Sequence, residues 1–488
     1  MGASMTSDKI SRGRALFPLS LSYIERYFLT DHTASYPMTS IIVAELEGEL
    51  QRASFEAAWE EARKRHPMVN ATARYNRITL SGVWSDAGEV PPPITWCDVE
   101  DAQATELCAP VKLPPWGWLD VLRHPGVQAW VHQGTGRSKV TFLVHHACVD
   151  GVGILAFMGD LFALYGMRTA STEESRPRLT REYDDDLLRH RQDFLVPRLS
   201  QERLLHLIKV LPGWWTEGTA FVFRKTQAIV GDRSPQDAAN TDPEIPQLHF
   251  FEIDADRMKR IDAKLDPAVF SLNDLMLRDL ILTLRDWNLE YPPLGKAPLR
   301  IDMPMNLRTP DQRELSAANC VSHTFLKPNP QLFDQPKRLL AEIVRLTRKM
   351  VYNRDGMMFN CWLRTGFWVP GVVQLMENAG KNFATTVLSN AGNALRTFGA
   401  KFVLADGLAV AGDVRIVRIT GVPPVRFGTP AVFCVTRNYR KLSMLARTDP
   451  RLFTHGAGES LTNRFRDRLT ASMDAILANG YESAIDSE

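Results

Sequence analysis

Between Lys139 and Tyr165 the sequence KVTFLVHHACVDGVGILAFMGDLFALY sets two adjacent histidines, a cysteine and an acid at the join of two hydrophobic periodicities. Imidazole is the side chain whose ordinary pKa best suits taking a proton near neutral pH. Upstream of the pair, Val140, Phe142 and Val144 alternate with Thr141, Leu143 and His145, and the β-branched content predicts a buried strand. Downstream, Ile154, Leu155, Met158, Leu161, Phe162 and Tyr165 recur at helical spacing, with Asp150-Gly151 ahead of them as a turn and N-cap. Neighbouring residues leaving a strand point to opposite faces, so one histidine meets the site and the other the protein. His146 falls in the loop that faces the helix N-terminus. The positive end of that helix disfavours a charged imidazole and leaves the site histidine neutral, the state a general base needs.

Other chemistries compete for the same residues. No metal site is expected, because HxxxH and HExxH spacings are absent and the two rings diverge. Cys148 reads either as a nucleophile served by His146 or as a small core residue, and it is left out of the expected mechanism. A histidine pair merely satisfied by hydrogen bonds in the core is the remaining alternative.

The run His145-His146-Ala147-Cys148-Val149-Asp150-Gly151 resembles the HHxxxDG signature of the chloramphenicol acetyltransferase-like acyltransferases. These include peptide-synthetase condensation domains, polyketide-associated acyltransferases, wax-ester synthases and plant BAHD enzymes. The resemblance implies that His146 is the base, while His145, Asp150 and Gly151 are structural and Asp150 makes a salt bridge. Leu299 to Arg308 looks like the family's strand ending in P-x-N-x-R, which implies Arg308 as the partner of Asp150; a solvated surface arginine is the alternative. Thr385 to Gly392 resembles the strand ending in S-N that borders the active-site channel. It makes Ser389 the candidate hydroxyl donor to an oxyanion and Asn390 a channel residue, with a plain strand-end turn as the alternative. The DFGWG box of the plant branch is absent.

Several elements must position these residues. Thr39 to Leu46 reads as a buried strand, followed by a helix that Ser54 can cap and that His66-Pro67 stops, which makes His66 a helix-end residue. Ala71 to Trp96 reads as short strands, Pro114 to Trp118 as a punctuated stretch, and Ala129 to His132 as a strand pairing with the motif strand across a turn. Leu204, Leu205, Leu207, Ile208 and Leu211 sit on a short helix ending at Pro212, read as a linker helix or an interfacial one. A second half starts with the strand Leu248 to Ile253 and a helix from Ala255, and then Ser271 caps a long helix to Asn288. Phe333 to Tyr352 is a basic helix whose Lys337, Arg338, Arg345, Arg348 and Lys349 form a solvated face or meet the phosphates of a coenzyme A or phosphopantetheine arm. Late strands at Arg415 to Ile419, Ala431 to Thr436 and Leu442 to Ala446 precede a closing helix from Glu459 to Leu477.

The chain has 488 residues, 44% hydrophobic and 23% charged, with a formal net charge of +2, so it has ample core and lacks the basic excess of a dedicated nucleic-acid binder. Six scattered cysteines without a CxxC pair suit a reducing, cytoplasmic setting. No secretory signal is visible, and no run of apolar residues is long enough to suggest a membrane span. The resemblance implies an α/β protein of two acetyltransferase-like lobes, a pseudo-dimer with mixed sheets and a channel between them. The division runs as 1–170 for the first lobe, 171–246 for a connecting segment and 247–488 for the second lobe. The expected activity is transfer of an acyl group from acyl-CoA or a phosphopantetheine thioester to a small-molecule or lipid alcohol, or an amine, without a bound cofactor. An acyl carrier protein acting in trans is an expected partner. A non-catalytic module that docks a carrier protein or partner enzyme is the alternative of another class.

Overall fold

The computed structural model of the protein describes residues 15–98, 119–195, 211–214, 226–234, 246–293, 297–368, 383–398 and 400–485. Its strands form three sheets. The largest has the order β12 (Val403–Ala405), β13 (Leu408–Ala411), β14 (Val414–Val422), β2 (Thr39–Glu47), β7 (Arg137–His145), β6 (Val127–Gly134) and β5 (Ile94–Asp98), parallel between β5 and β6 and antiparallel elsewhere. The second has the order β10 (Val321–Leu326), β9 (Ile301–Asn306), β11 (Thr386–Asn393), β15 (Ala431–Asn438), β16 (Lys441–Thr448) and β8 (Gln247–Ile253), parallel on both sides of β11. A small antiparallel sheet joins β1 (Leu19–Ser20), β4 (Ser81–Asp86) and β3 (Ala71–Asn76). The fold is therefore mixed α/β.

The helices that matter here are α1 (Tyr23–Asp31), α2 (Arg52–Arg65), α3 (Gly151–Thr169), α4 (Ala255–Lys264), α5 (Leu272–Glu290), α6 (Pro336–Asn353), α7 (Asp355–Trp368) and α8 (His455–Asn479). Strand β2 shows why the apolar runs become sheets covered on both sides. Its Ile42, Ala44 and Leu46 enter a core with Phe55 and Trp59 of α2 and Phe157 of α3. Its Ile41 and Val43 point the other way, against Val432 and Leu445 of the second sheet. Alternate residues of one strand thus serve a lobe core and the layer between the sheets. Leu277, Leu280 and Leu284 of α5 and Leu461, Phe465 and Leu469 of α8 fill a separate core in the second lobe.

Some boundaries differ from the sequence reading. The division at residue 247 assigns 403–422 to the second lobe, but β12 to β14 extend the first sheet, with β14 paired to β2 from Arg415 opposite Glu47 to Val422 opposite Ile41. A buried strand such as β2 cannot leave one edge of backbone groups unmatched, and β14 supplies the partners. Ser54 does not cap α2: the helix begins at Arg52 after Gln51, and Ser54 lies in its first turn, donating to Gln51 Oε1 at 3.3 Å. Helix α6 starts at Pro336, where the ring's fixed φ suits a first turn, and α8 starts at His455, where the Thr454 hydroxyl accepts from Ala457 N–H. The stretches 204–208 and 114–118 lie outside the described residues, while residues 211–214 are helical through Pro212 and Gly213. Among the described residues one helix, α3, is long and apolar enough to cross a membrane, but 78% of its most apolar window is buried within the fold.

Candidate active site

A cavity of about 150 Å³ is lined by residues of both large sheets and of α3, and both halves of the chain build it. Ile42, His146 and Val152 come from the first lobe, and Pro304, Val321 and Ser389 from the second. Val422 of the crossing strand β14 adds to a wall that is mostly apolar. Asp150, Gly151 and Asn390 line it as well, so the sequence-predicted residues gather in one place, with Arg308 bound to Asp150.

The two histidines part as they leave β7. His145 is sealed in the protein, its Nδ1 accepting from Ala147 N–H at 3.2 Å and its Nε2 meeting His32 Nδ1 at 2.9 Å. With Nδ1 accepting, Nε2 carries the proton and donates to His32. His146 reaches the cavity, its ring stacked on Phe28 of α1 at a centroid distance of 4.3 Å. Its backbone is held at both ends: its N–H donates to Met38 O at 2.7 Å, and its carbonyl accepts from Asn319 Nδ2 at 2.5 Å. Its Nδ1 is enclosed with no partner in another of the described residues. Burial pushes its pKa down to about 4, against the opposing pull of its own carbonyl, and His323 adds to the drop. The neutral state expected from the helix end is thus present, with burial as its leading cause.

Asp150 is the N-cap of α3, its Oδ1 accepting from Gly153 N–H at 2.8 Å. Its Oδ2 accepts from Arg308 Nη1 at 2.7 Å and from Cys320 N–H at 2.7 Å. Arg308 also donates to Ala318 O at 2.8 Å and to Asn306 Oδ1 at 3.0 Å. Burial works against the guanidinium charge, and the Asp150 carboxylate outweighs it, holding the pKa above the ordinary arginine value. The carboxylate is spent on these bonds and fastens the second lobe's 317–320 segment to the start of α3.

Sequence reasoning passed over two residues of this clasp, Asn319 and Gly153, and the contact made by a third, His66. Asn319 anchors the His146 carbonyl. Gly153 lies so close to the segment that a Cβ there would stand 2.7 Å from Ala318 O, whereas a Cβ on Gly151 would meet nothing. Gly151, singled out by the motif, is therefore not required by packing, although it lines the cavity. His66 is a helix-end residue that also accepts from Ala317 N–H at 2.9 Å. The signals for Asn319 were weak, an asparagine just ahead of a strand; for Gly153 it was a second glycine in the first turn of an apolar helix.

The remaining candidates are placed as follows. Ser389 stands opposite Cys434 in the β11/β15 pairing, at the cavity wall. Asn390 reaches Asn273 Oδ1 at 3.4 Å and accepts from Gly392 N–H at 2.9 Å. Cys148 is fully buried, its thiol donating to Met68 O at 2.7 Å, and burial raises its pKa well above the ordinary thiol value. On α6, Arg345 is paired with Glu342, Arg338 reaches Gln335, and Arg348 reaches the Ala268 and Val269 carbonyls.

No family model matches the sequence, and no curated protein matches it. Solved structures do share the fold. A variant of the starter condensation domain of rhizomide synthetase RzmA, solved in complex with C8-CoA, matches at a TM-score of 0.61 and 12% identity over 95% of each chain. An X-domain from teicoplanin biosynthesis matches at 0.58 and 16% over 99% of each, and the X-domain has also been solved as a complex with OxyB. The TRI3 trichothecene 15-O-acetyltransferase of Fusarium sporotrichioides matches at 0.59 and 12%, over 92% of this chain and 94% of its own. The chain thus has, over nearly its whole length, the fold of the condensation and chloramphenicol acetyltransferase-like proteins.

Proposed function

We propose that the protein is an acyltransferase that moves an acyl group from a thioester, acyl-CoA or carrier-bound, to an alcohol or amine, with His146 as general base. The observation that carries this reading is a neutral imidazole at the wall of a cavity built by both lobes, its backbone clamped from each side. With Nδ1 enclosed, Nε2 is the nitrogen left to meet a substrate. It takes the acceptor's proton as the oxygen or nitrogen attacks the thioester carbonyl. The tetrahedral intermediate carries its charge on the former carbonyl oxygen, where the Ser389 hydroxyl is the candidate donor. Collapse breaks the carbon–sulfur bond, and the imidazolium returns its proton to the departing thiolate. Asp150 has no part in the proton path, since its oxygens are committed to Arg308, Cys320 and Gly153.

The C8-CoA complex of the starter condensation domain supports acyl-CoA as a donor of the right class. Ester formation is favoured over amide formation. A second reading, a docking module without turnover, draws on the X-domain solved with OxyB; a fully assembled His146 site weighs against it.

The test is a matrix of acyl-CoAs and small thioesters against alcohols and amines, read by mass spectrometry. Acylated acceptor together with free thiol is expected, with no mass added to the protein by donor alone. A mass increment mapped to Cys148 would replace direct transfer by a covalent route.

A further inference from the structure

A second buried imidazole stands one residue pair along from the cavity wall. Pro304 of β9 and Val321 of β10 line the cavity. His323 is the register partner of Pro304 and lies two residues beyond Val321, so it shares their face of the sheet, as does Asp302, two residues before Pro304. The Asp302 carboxylate accepts from His323 Nδ1 at 2.8 and 3.1 Å, and the two residues are 3% and 6% exposed. Asp302 thereby selects the Nδ1–H tautomer, and in that tautomer of the neutral ring Nε2 is an acceptor. That Nε2 is enclosed and has no partner among the described residues. Phe28, Phe325 and Phe359 frame the ring at 5.8, 6.4 and 5.2 Å between centroids. Phe28 is the same ring that stacks on His146. On α7, the neighbour of Phe359 is Asn360, fully buried with neither amide atom matched among the described residues, one turn after Gly356, which faces Met305 and Leu307.

Packing does not account for this arrangement. An apolar ring would sit among three phenylalanines without enclosing an unmatched acceptor, and an unmatched acceptor is destabilising. A ligand hydroxyl would satisfy it.

We propose that His323, held by Asp302, is a specificity-determining residue whose Nε2 accepts a hydrogen bond from a second hydroxyl of the acceptor, the first being the nucleophile served by His146. The acceptor class is then a diol or polyol. Naming this ligand the acceptor rests on the acyl-transfer reading, whereas the hydroxyl-binding subsite itself does not.

The test is binding, followed by NMR on the full chain with isotope-labelled histidine nitrogens. Linear α,ω-diols from propanediol to octanediol are titrated alongside the matching primary alkanols. At least one diol should bind about tenfold more tightly than its alkanol and shift the His323 Nε2 signal. In His323→Phe, which keeps an aromatic ring in the cluster, the diol should lose that advantage while the alkanol binds as before. His323→Leu serves if the phenylalanine variant does not give a folded spectrum. Equal affinity of every diol and its alkanol for the wild type, absence of binding included, would leave only an ordered water at Nε2 and overturn the proposal. So would an advantage that survives removal of the imidazole. Failure of the acyl-transfer reading would show separately, as no product from any thioester while the diol preference stands.

Discussion

The surroundings of His146, the proposed base, keep its ring neutral and hold its backbone at both ends. A pKa of about 4 means that the ring loses its basic form only in strong acid, so turnover should not decline through protonation of His146 until pH falls towards about 4. The same physics acts on stability. His132, His146 and His249 are each lowered to about 4, and His66 and His145 are also lowered, burial being the leading cause in every case. The unfolded chain therefore binds these protons more readily, so this stability is complete above about pH 6.5 and is lost as pH falls from there towards about 4. Thermal melts from about pH 7.5 down to about pH 5 should show a falling midpoint, and a flat profile would contradict burial as the cause. Asp150 and Arg308 form the other coupled unit. Either single alanine leaves a buried charge unmatched and should cost about 3 to 5 kcal/mol, and the double variant should cost less than the sum. A chemical-denaturation cycle with additive losses would show that the 2.7 Å contact has no energetic weight.

At the scale of elements, the site depends on how closely α3 and the 317–320 segment approach. Gly153→Ala should destabilise the fold by about 1 to 3 kcal/mol, because the Ala318 backbone cannot yield as a flexible side chain would. Gly151→Ala should leave the melting temperature near wild type yet lower turnover, since its methyl group meets no protein atom and enters the cavity wall. Thermal melts and rates on both variants check this, and the reverse pattern would show that Gly151 is the packing glycine. The contrast marks what was legible in the sequence. The motif strand and helix were readable because the hydrophobic period changes within a few residues, and Asp150 and Arg308 because their spacing resembled known motifs. Asn319 and Gly153 were not, because each owes its role to a contact with a distant segment: Asn319 and His146 are 173 positions apart. No local pattern reports such a contact.

At the scale of the molecule, the two halves share one site. Strand β14 leaves the second half to complete the first sheet, and it carries Val422 into the cavity wall, so a division at residue 247 would leave neither half with a complete site. That excursion was invisible from β-propensity alone, since Arg415 to Ile419 reads as a strand whichever sheet it joins. With both lobes contributing walls, the proposed direct transfer would require thioester and acceptor to meet at this one cavity. The measurement that tests this account most directly is the turnover of His146→Ala against wild type, using a donor and acceptor pair found in the substrate matrix. Unchanged circular dichroism and melting temperature would establish that the variant is folded. The account predicts a turnover lower by about 10² to 10⁴, the contribution of a positioned base. Turnover equal to wild type in a folded His146→Ala protein would contradict it.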